Sequence, residues 1–223
     1  MSEIKSIKEA VLETVRAMDR AGLTEGTAGN VSARTSNDEV VLTPTALAYD
    51  CMTLDDLVVT DLDGRVVSGT REPTTEWQLH LACLRRHRDI AAVVHSHAVH
   101  ASMFAANHES IPSVIEEVDL YLGGEVRVTD YHPTGTEALG KSTADLLQDR
   151  GAVLLANHGL VTVAQTPAEA LRMTRLVERT AKIIWGAKLI GEPRRLPDQA
   201  RARFTAMYRK RRKAASETIQ RPS

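Results

Sequence analysis

The stretch Ile90-Ala91-Ala92-Val93-Val94-His95-Ser96-His97 decides the fold class, because it joins a short apolar run to polar side chains at its end. A run of five apolar residues that follows charged ones is typical of a strand buried on both faces. Successive side chains of a strand point to opposite faces, so His95 and His97 share one face and Ser96 takes the other. The segment therefore predicts an interior strand that presents two imidazoles to a single point.

The elements around this strand alternate irregularly between helix and strand. Apolar residues at spacings of three and four over 4–18 predict an amphipathic helix that ends at Gly22. The sequence Asp61-Leu62-Asp63-Gly64 predicts a tight hairpin turn, which favours antiparallel pairing. We therefore predict a three-layer α/β/α sandwich with a central, mostly antiparallel sheet. The other predicted strands cover 31–34, 40–43, 57–60, 66–67, 125–129, 152–155 and 160–164, and the other predicted helices cover 74–87, 99–107, 137–148 and a long segment from Pro167.

Composition narrows the class of protein. Of 223 residues, 43% are hydrophobic and only 4% aromatic, so a packed core of aliphatic residues is expected. We find no repeat and no linker, and expect residues 1–223 to form one domain. No uncharged apolar run reaches the roughly 18–20 residues that cross a bilayer. The first residues contain no apolar segment of the kind found in secretory signals. Two cysteines are too few for a disulfide scaffold. A soluble, cytoplasmic protein without a membrane partner is the expectation.

Charge is unevenly distributed along the chain. From Arg194 to Ser223 there are ten Lys and Arg against two Asp and Glu, a net charge of +8, while the rest of the chain carries −9. The basic run at 209–213 is of a kind that contacts nucleic acids or anionic surfaces. No stacking aromatic residues interrupt that run. We interpret the segment from about residue 194 as a solvated basic helix with a frayed tail, and expect no nucleic-acid partner.

A third histidine follows a second buried run, in Ala156-Asn157-His158-Gly159. Three neutral imidazoles with one open position are typical of a catalytic zinc site, whereas structural sites usually close their shell with thiolates. A lone histidine is more often a core or surface residue. The combination of His95 and His97 at one strand end with His158 at another favours the metal site.

Glu76 adds a carboxylate in the segment Pro73-Thr74-Thr75-Glu76-Trp77. In one interpretation it only interacts with the dipole of a predicted helix. In the other it is a fourth metal ligand, or a base once substrate displaces it. We interpret His80, one helical turn further on, as a packing or supporting residue rather than a ligand.

The segment Gly26-Thr27-Ala28-Gly29-Asn30-Val31-Ser32 places glycines beside hydroxyl and amide donors. Such a segment suits a phosphate, although a plain turn is the alternative, and it matches neither a Walker loop nor a dinucleotide fingerprint. The hydroxyls of Thr43, Thr45, Thr74 and Thr75 are available to the same anion.

Together these segments resemble the class II aldolase/adducin family. The resemblance runs from about Val11 to Trp185 and rests on five motifs in the family's order. They are GTAGNVSAR at 26–34, LTPTALAYD at 42–50, PTTEWQLH at 73–80, AVVHSHAVHAS at 92–102 and ANHGL at 156–160.

The resemblance implies a zinc-dependent aldolase that reversibly cleaves a phosphorylated ketose to dihydroxyacetone phosphate and an aldehyde, with Mn²⁺ or Co²⁺ as alternative metals. The family's zinc ligands correspond to His95, His97 and His158. Its catalytic glutamate, which binds the metal in the resting state and acts as a base during turnover, corresponds to Glu76. The phosphate site corresponds to Gly29, Asn30, Thr45, Thr74 and Thr75. A homo-oligomer is implied as well, a tetramer with its sites between subunits.

Two positions depart from the family pattern. Ala46 stands where a glycine usually follows Thr-Pro-Ser/Thr, and its methyl group narrows backbone access to an anion. The family's tyrosine acid falls near Glu116-Glu117, so Glu117 is predicted as the acid, with Glu116 or a tyrosine such as Tyr208 as alternatives.

Other functions compete with this prediction. Members of the same superfamily carry out 4-epimerisation, dehydration or decarboxylation of sugar phosphates, and Glu rather than Asp at position 76 favours the aldolase over the epimerase. An adducin-like interaction module needs no metal, and the retention of all four candidate ligands argues against it. Schiff-base chemistry is disfavoured because all seven lysines lie in predicted helices or the basic tail.

Overall fold

A computed structural model describes residues 2–219 of the chain. The strands are β1 (Asn30–Arg34), β2 (Val40–Leu42), β3 (Val58–Thr60), β4 (Val66–Ser68), β5 (Ala92–Ser96), β6 (Arg127–Val128), β7 (Ala152–Leu155) and β8 (Gly159–Ala164). The helices are α1 (Glu3–Arg20), α2 (Trp77–Arg86), α3 (Val99–Ala106), α4 (Glu116–Leu122), α5 (Glu137–Leu146), α6 (Pro167–Lys188) and α7 (Asp198–Ile219), with a 3₁₀ turn at Leu54–Asp56. Within residues 2–219, no helix is long and apolar enough to cross a membrane.

The eight strands form one sheet in the order β4-β3-β2-β1-β5-β8-β7-β6. Every neighbouring pair is antiparallel except β6 and β7, which run parallel. Strand β5 lies inside the sheet between β1 and β8, as its apolar run predicted. In this register His95 lies opposite Asn30 on β1 and Val161 on β8.

Both faces of the sheet are covered, because the strands bury apolar side chains on alternate sides. Val94 and Leu154 pack in a core that includes residues of α1, α3, α4 and α6. Val93 and Val153 pack on the other side, against residues of α2 and α5. The predicted three-layer sandwich with a mostly antiparallel sheet is thereby confirmed.

Some element bounds differ from the sequence prediction. The N-cap residue of α2 is Glu76 and not Thr74 or Thr75 as predicted, so Glu76 precedes the first turn of the helix instead of lying in it. The strand predicted at 125–129 shortens to β6, and α4 was not predicted. Helix α4 has only seven residues, too few for a helical period to stand out in the sequence.

The C-terminal helix α7 packs on α4 instead of standing free in solvent. Tyr208 is 9% exposed, and the Arg212 side chain is 12% exposed beside Asp89. The interpretation of this segment as a solvated basic helix is therefore wrong for the face that carries these two residues. Residues 220–223 of the predicted frayed tail lie outside the described residues.

Candidate metal centre and substrate cleft

Three histidines converge where β5 ends and β8 begins. His95 is on β5, His97 follows it directly, and His158 lies in the turn that leads into β8. Their ligand nitrogens all lie within 4.8 Å of one another. A Cβ atom at Gly159 would lie 2.6 Å from the Ser96 carbonyl oxygen, so only glycine lets the turn approach β5 this closely. The structure thus brings the three predicted metal ligands together.

The ring of His95 is fixed by the backbone of the neighbouring strand. Its Nδ1 donates to the carbonyl oxygen of Leu160 at 3.1 Å, which leaves Nε2 directed at the other ligands. Nε2 of His95 lies 3.0 Å from Nε2 of His97 and 3.1 Å from Oε2 of Glu76. A backbone acceptor behind an imidazole is the usual way in which a metal-binding histidine is oriented.

Glu76 supplies a buried carboxylate to the same point. Its side chain is only 6% exposed, and Oε2 accepts a hydrogen bond from Nδ2 of Asn30 at 2.9 Å. Its other oxygen, Oε1, is 3.6 Å from Nε2 of His158 and has no hydrogen-bond partner among the described residues. A buried carboxylate oxygen without a partner is costly, and a cation beside it would satisfy it.

The electrostatics of the site leave the carboxylate charged and two of the three imidazoles neutral. Burial, reinforced by the charge of His95, lowers the pKa of both His97 and His158 to about 4. Burial alone would lower the pKa of His95 and raise that of Glu76, but their mutual attraction reverses both shifts. Glu76 is therefore ionised at neutral pH, and two of the imidazoles are neutral and able to donate lone pairs.

This donor set fits a divalent metal ion. Catalytic zinc sites use three protein ligands, three imidazoles among them, carboxylate oxygens also bind zinc, and imidazole binds other transition metals as well. The unpartnered Oε1 of Glu76 is the observation that supports the fit.

A cleft of about 260 Å³ opens beside the histidines. All five predicted phosphate-binding residues line it, together with Glu76, His97 and His158. Thr134 also lines the cleft and was not among the predicted site residues. A single threonine in a loop has no periodicity or motif, so no pattern in the sequence could have identified it.

The chemistry of the cleft suits an anion bound by neutral donors. No lysine or arginine is among the described residues that line it, whereas five threonines are. The hydroxyl of Tyr49 donates to the carbonyl oxygen of Gly29 at 2.6 Å and so holds the glycine-rich segment in place. Gly29 has a φ of +85°, and a Cβ there would lie 2.9 Å from the His95 carbonyl oxygen.

Two further sequence predictions concern the rim of the site. Ala46 lines the cleft with a φ of +53°, a left-handed conformation that glycine adopts without cost. Glu117 lines a different groove, beside Tyr121 and Arg172, and the cleft of its own chain does not include it. Its predicted role as the acid stays a prediction.

Comparison with known proteins places this geometry in a family. Residues 9–185 match the family described as Class II Aldolase and Adducin N-terminal domain. This chain therefore belongs to the class II aldolase and adducin family.

Individual relatives narrow the comparison further. A 5-deoxy-D-ribulose 1-phosphate aldolase of Bacillus thuringiensis serovar kurstaki is 35% identical over 192 residues, which are 86% of this chain and 90% of that protein. An L-fuculose phosphate aldolase of Escherichia coli strain K12 is 32% identical over 191 residues, 86% of this chain and 88% of that protein. A solved L-fuculose 1-phosphate aldolase has a TM-score of 0.87 at 33% identity, covering 92% of this chain and 96% of its own.

Proposed function

We propose that this protein is a zinc-dependent aldolase that reversibly cleaves a phosphorylated ketose to dihydroxyacetone phosphate and an aldehyde. Aldehyde-lyase chemistry follows from the family and from relatives that are named as aldolases. The observation that carries the proposal is the meeting of three histidines and an incompletely bonded carboxylate at one end of a cleft lined with neutral donors.

The substrate we propose is a ketose 1-phosphate that resembles L-fuculose 1-phosphate or a 5-deoxypentulose 1-phosphate. One relative that aligns with most of the chain is named as an aldolase of the first kind of substrate, and another is named as an aldolase of the second kind. The hydroxyls of Thr45, Thr74 and Thr75 and the backbone of Gly29 would bind the phosphate, because hydrogen bonds to a charged acceptor are the stronger kind.

The residues of the site divide the chemistry among them. His95, His97 and His158 would hold a divalent cation, whose chemical contribution would be Lewis-acid polarisation of the substrate carbonyl. Cleavage between C3 and C4 turns C3 into the hydroxymethyl carbon of dihydroxyacetone phosphate. Glu76 moves the proton to and from that carbon as the general base and acid. A second group handles the proton on the aldehyde oxygen.

We propose Glu117 of a second copy of the chain as that group, within a homotetramer in the cytoplasm. Glu117 does not line the cleft of its own chain, which is why a neighbouring copy is required. Glu116 is the adjacent alternative. Tyr208 is less suitable, because it is only 9% exposed and Nη1 of Arg212 donates to its hydroxyl.

The experiment that tests the proposal measures release of dihydroxyacetone phosphate from a panel of ketose 1-phosphates. The panel contains fuculose, rhamnulose, ribulose and 5-deoxypentulose 1-phosphates, each assayed before and after chelation. We expect release that chelation abolishes and zinc restores, with Glu76→Gln as the inactive control.

Two other outcomes would contradict the proposal. No release by a protein that holds one zinc per chain would indicate an epimerase, dehydratase or decarboxylase that uses the same ligands. No release by a protein that binds no metal would indicate an adducin-like interaction module.

A further inference from the structure

Four buried polar side chains form a chain of hydrogen bonds between β1 and α2. Asn30 and Ser32 are two residues apart on β1 and share a face, while Glu76 and His80 are one helical turn apart at the beginning of α2. Oγ of Ser32 lies 2.7 Å from Nδ1 of His80, Nε2 of His80 lies 2.5 Å from Oδ1 of Asn30, and Nδ2 of Asn30 lies 2.9 Å from Oε2 of Glu76. All four residues are at most 5% exposed.

The chemistry of the four groups sets the direction of every bond. An ionised carboxylate only accepts, so Asn30 must present its NH₂ group to Glu76 and its oxygen to His80. Nε2 of His80 must then carry the hydrogen, and in a neutral imidazole Nδ1 is left to accept from the hydroxyl of Ser32. Burial lowers the pKa of His80 to about 3, in agreement with a neutral ring. All three hydrogen bonds therefore donate toward Glu76.

We propose that His80 is a positioning residue for the catalytic base: it orients the Asn30 amide, which in turn holds Oε2 of Glu76 and leaves Oε1 free for the metal ion. The inference rests on the proposed function of Glu76. Without the donor on His80, the Asn30 amide is free to rotate and to place its oxygen against a carboxylate oxygen. Asn30 also lines the cleft, as Glu76 does, so the residue that His80 orients lies at the site itself.

The C-terminal end of α2 provides a matched control. His87 is 6% exposed, and its Nε2 donates to the carbonyl oxygen of Ala144 at 2.7 Å. It is a buried, hydrogen-bonded histidine at the other end of the same helix, and its partner is a backbone oxygen rather than a residue of the site. Substitution of His87 therefore measures how far the loss of a buried, hydrogen-bonded histidine of α2 alters the protein when Glu76 keeps its contacts.

The test compares His80→Leu, which removes the donor, with His80→Gln, which keeps an amide N–H at similar reach. His87→Leu and His87→Gln are the controls. Two quantities are measured for each variant: kcat and KM of the zinc enzyme on its best ketose 1-phosphate, and the visible absorption spectrum of the Co²⁺-loaded protein. The spectrum of Glu76→Gln provides the reference for a centre without its carboxylate.

We expect His80→Leu to lower kcat about 30-fold, within the 10- to 100-fold range typical of residues that orient metal ligands. Its Co²⁺ spectrum should move toward that of Glu76→Gln, and His80→Gln should recover most of both properties. Neither His87 variant should change kcat more than about twofold or move the spectrum.

Equal kcat values and equal spectra for His80→Leu and His87→Leu would overturn the positioning role. If the wild-type protein cleaves no ketose phosphate, the proposed function fails, but the Co²⁺ spectra still decide the role of His80.

If His80→Leu does not fold, Ser32→Ala replaces it, because without the Ser32 hydroxyl the hydrogen of the His80 ring is no longer fixed on Nε2. We expect a spectral shift in the same direction and about a threefold loss of kcat, and an unchanged spectrum together with an unchanged kcat would contradict the inference.

Discussion

The two ends of β5 both bury charged groups, but they satisfy them differently. Before the strand, Asp89 forms an ion pair with Arg212, which also donates to the carbonyl oxygens of Leu147 and Arg150 at 2.8 and 2.9 Å. After the strand, Oε1 of Glu76 and Nδ1 of His158 are buried without a hydrogen-bond partner in the described part of the chain.

This difference separates a structural cluster from a functional one. Where the chain itself supplies every partner, the buried ion pair stabilises the fold, and removal of one member is expensive. Where an unpartnered carboxylate oxygen lies among three imidazoles, a bound cation would remove the cost of burying that oxygen. Mutations at the first end should therefore change stability alone, and mutations at the second end should change metal binding and turnover.

The largest effect is expected from His97→Ala. Loss of one of three imidazole ligands should lower bound zinc to well below one ion per chain and lower turnover about 1,000-fold, since the Lewis acid is worth several kcal/mol. Metal content by elemental analysis and kcat measure the two effects. Full zinc occupancy in this variant would remove His97 from the ligands.

Glu76→Gln should have the next largest effect, and a more selective one. The amide keeps the shape of the side chain but cannot carry a proton, so turnover should fall about 100-fold or more while zinc content falls far less. Parallel assays of kcat and metal content distinguish this result from that of His97→Ala. Turnover close to that of the wild type would place the base on another residue.

At the other end of β5, Arg212→Ala should affect stability alone. It leaves Asp89 without its partner in a mostly buried position, and we expect a loss of about 3 kcal/mol in the free energy of unfolding. Denaturant titration measures the loss, with zinc content and kcat as controls. A matching loss of zinc would show that the two ends of the strand are not independent.

The smallest effect is expected from Ala46→Gly. Glycine at a φ of +53° relieves about 1 kcal/mol of backbone strain in the folded state. It also raises the conformational entropy of the unfolded chain, which lowers the free energy of unfolding by a similar amount. Stability should therefore stay within about 1 kcal/mol, while KM for the phosphorylated substrate falls a few-fold as the backbone becomes accessible. An increase in KM would show that the methyl group contacts the substrate favourably.

The sequence predicts the metal end of β5 much better than the other end. The pattern of His95 and His97 at the end of an apolar strand is local, and residues two apart must share a face. The burial of Arg212 has no such signature, since a basic run has the pattern of a solvated helix. Only the packing of α7 on α4 turns Tyr208 and Arg212, four residues apart, toward the interior.

The same limit applies inside the site. Motifs predicted which residues gather around the cleft, but not that the amide of Asn30 faces Glu76 or that His80 fixes it. Those bonds depend on how β1 lies against α2, which no local pattern encodes. Loop residues such as Thr134 are brought to the cleft by the same tertiary arrangement.

The pairing of β1 with β5 makes the centre vulnerable to a single inserted residue. Asn30 lies directly opposite His95, and Ser32 lies directly opposite Val93, so all four side chains share one face of the sheet. One extra residue between Ser32 and Ala33 would turn both Asn30 and Ser32 to the opposite face, although the chain could still form a sheet. An insertion in the turn at 35–39 leaves this alignment intact. We therefore expect a protein with an insertion in the turn at 35–39 to remain active, and a protein with an insertion inside β1 to lose activity.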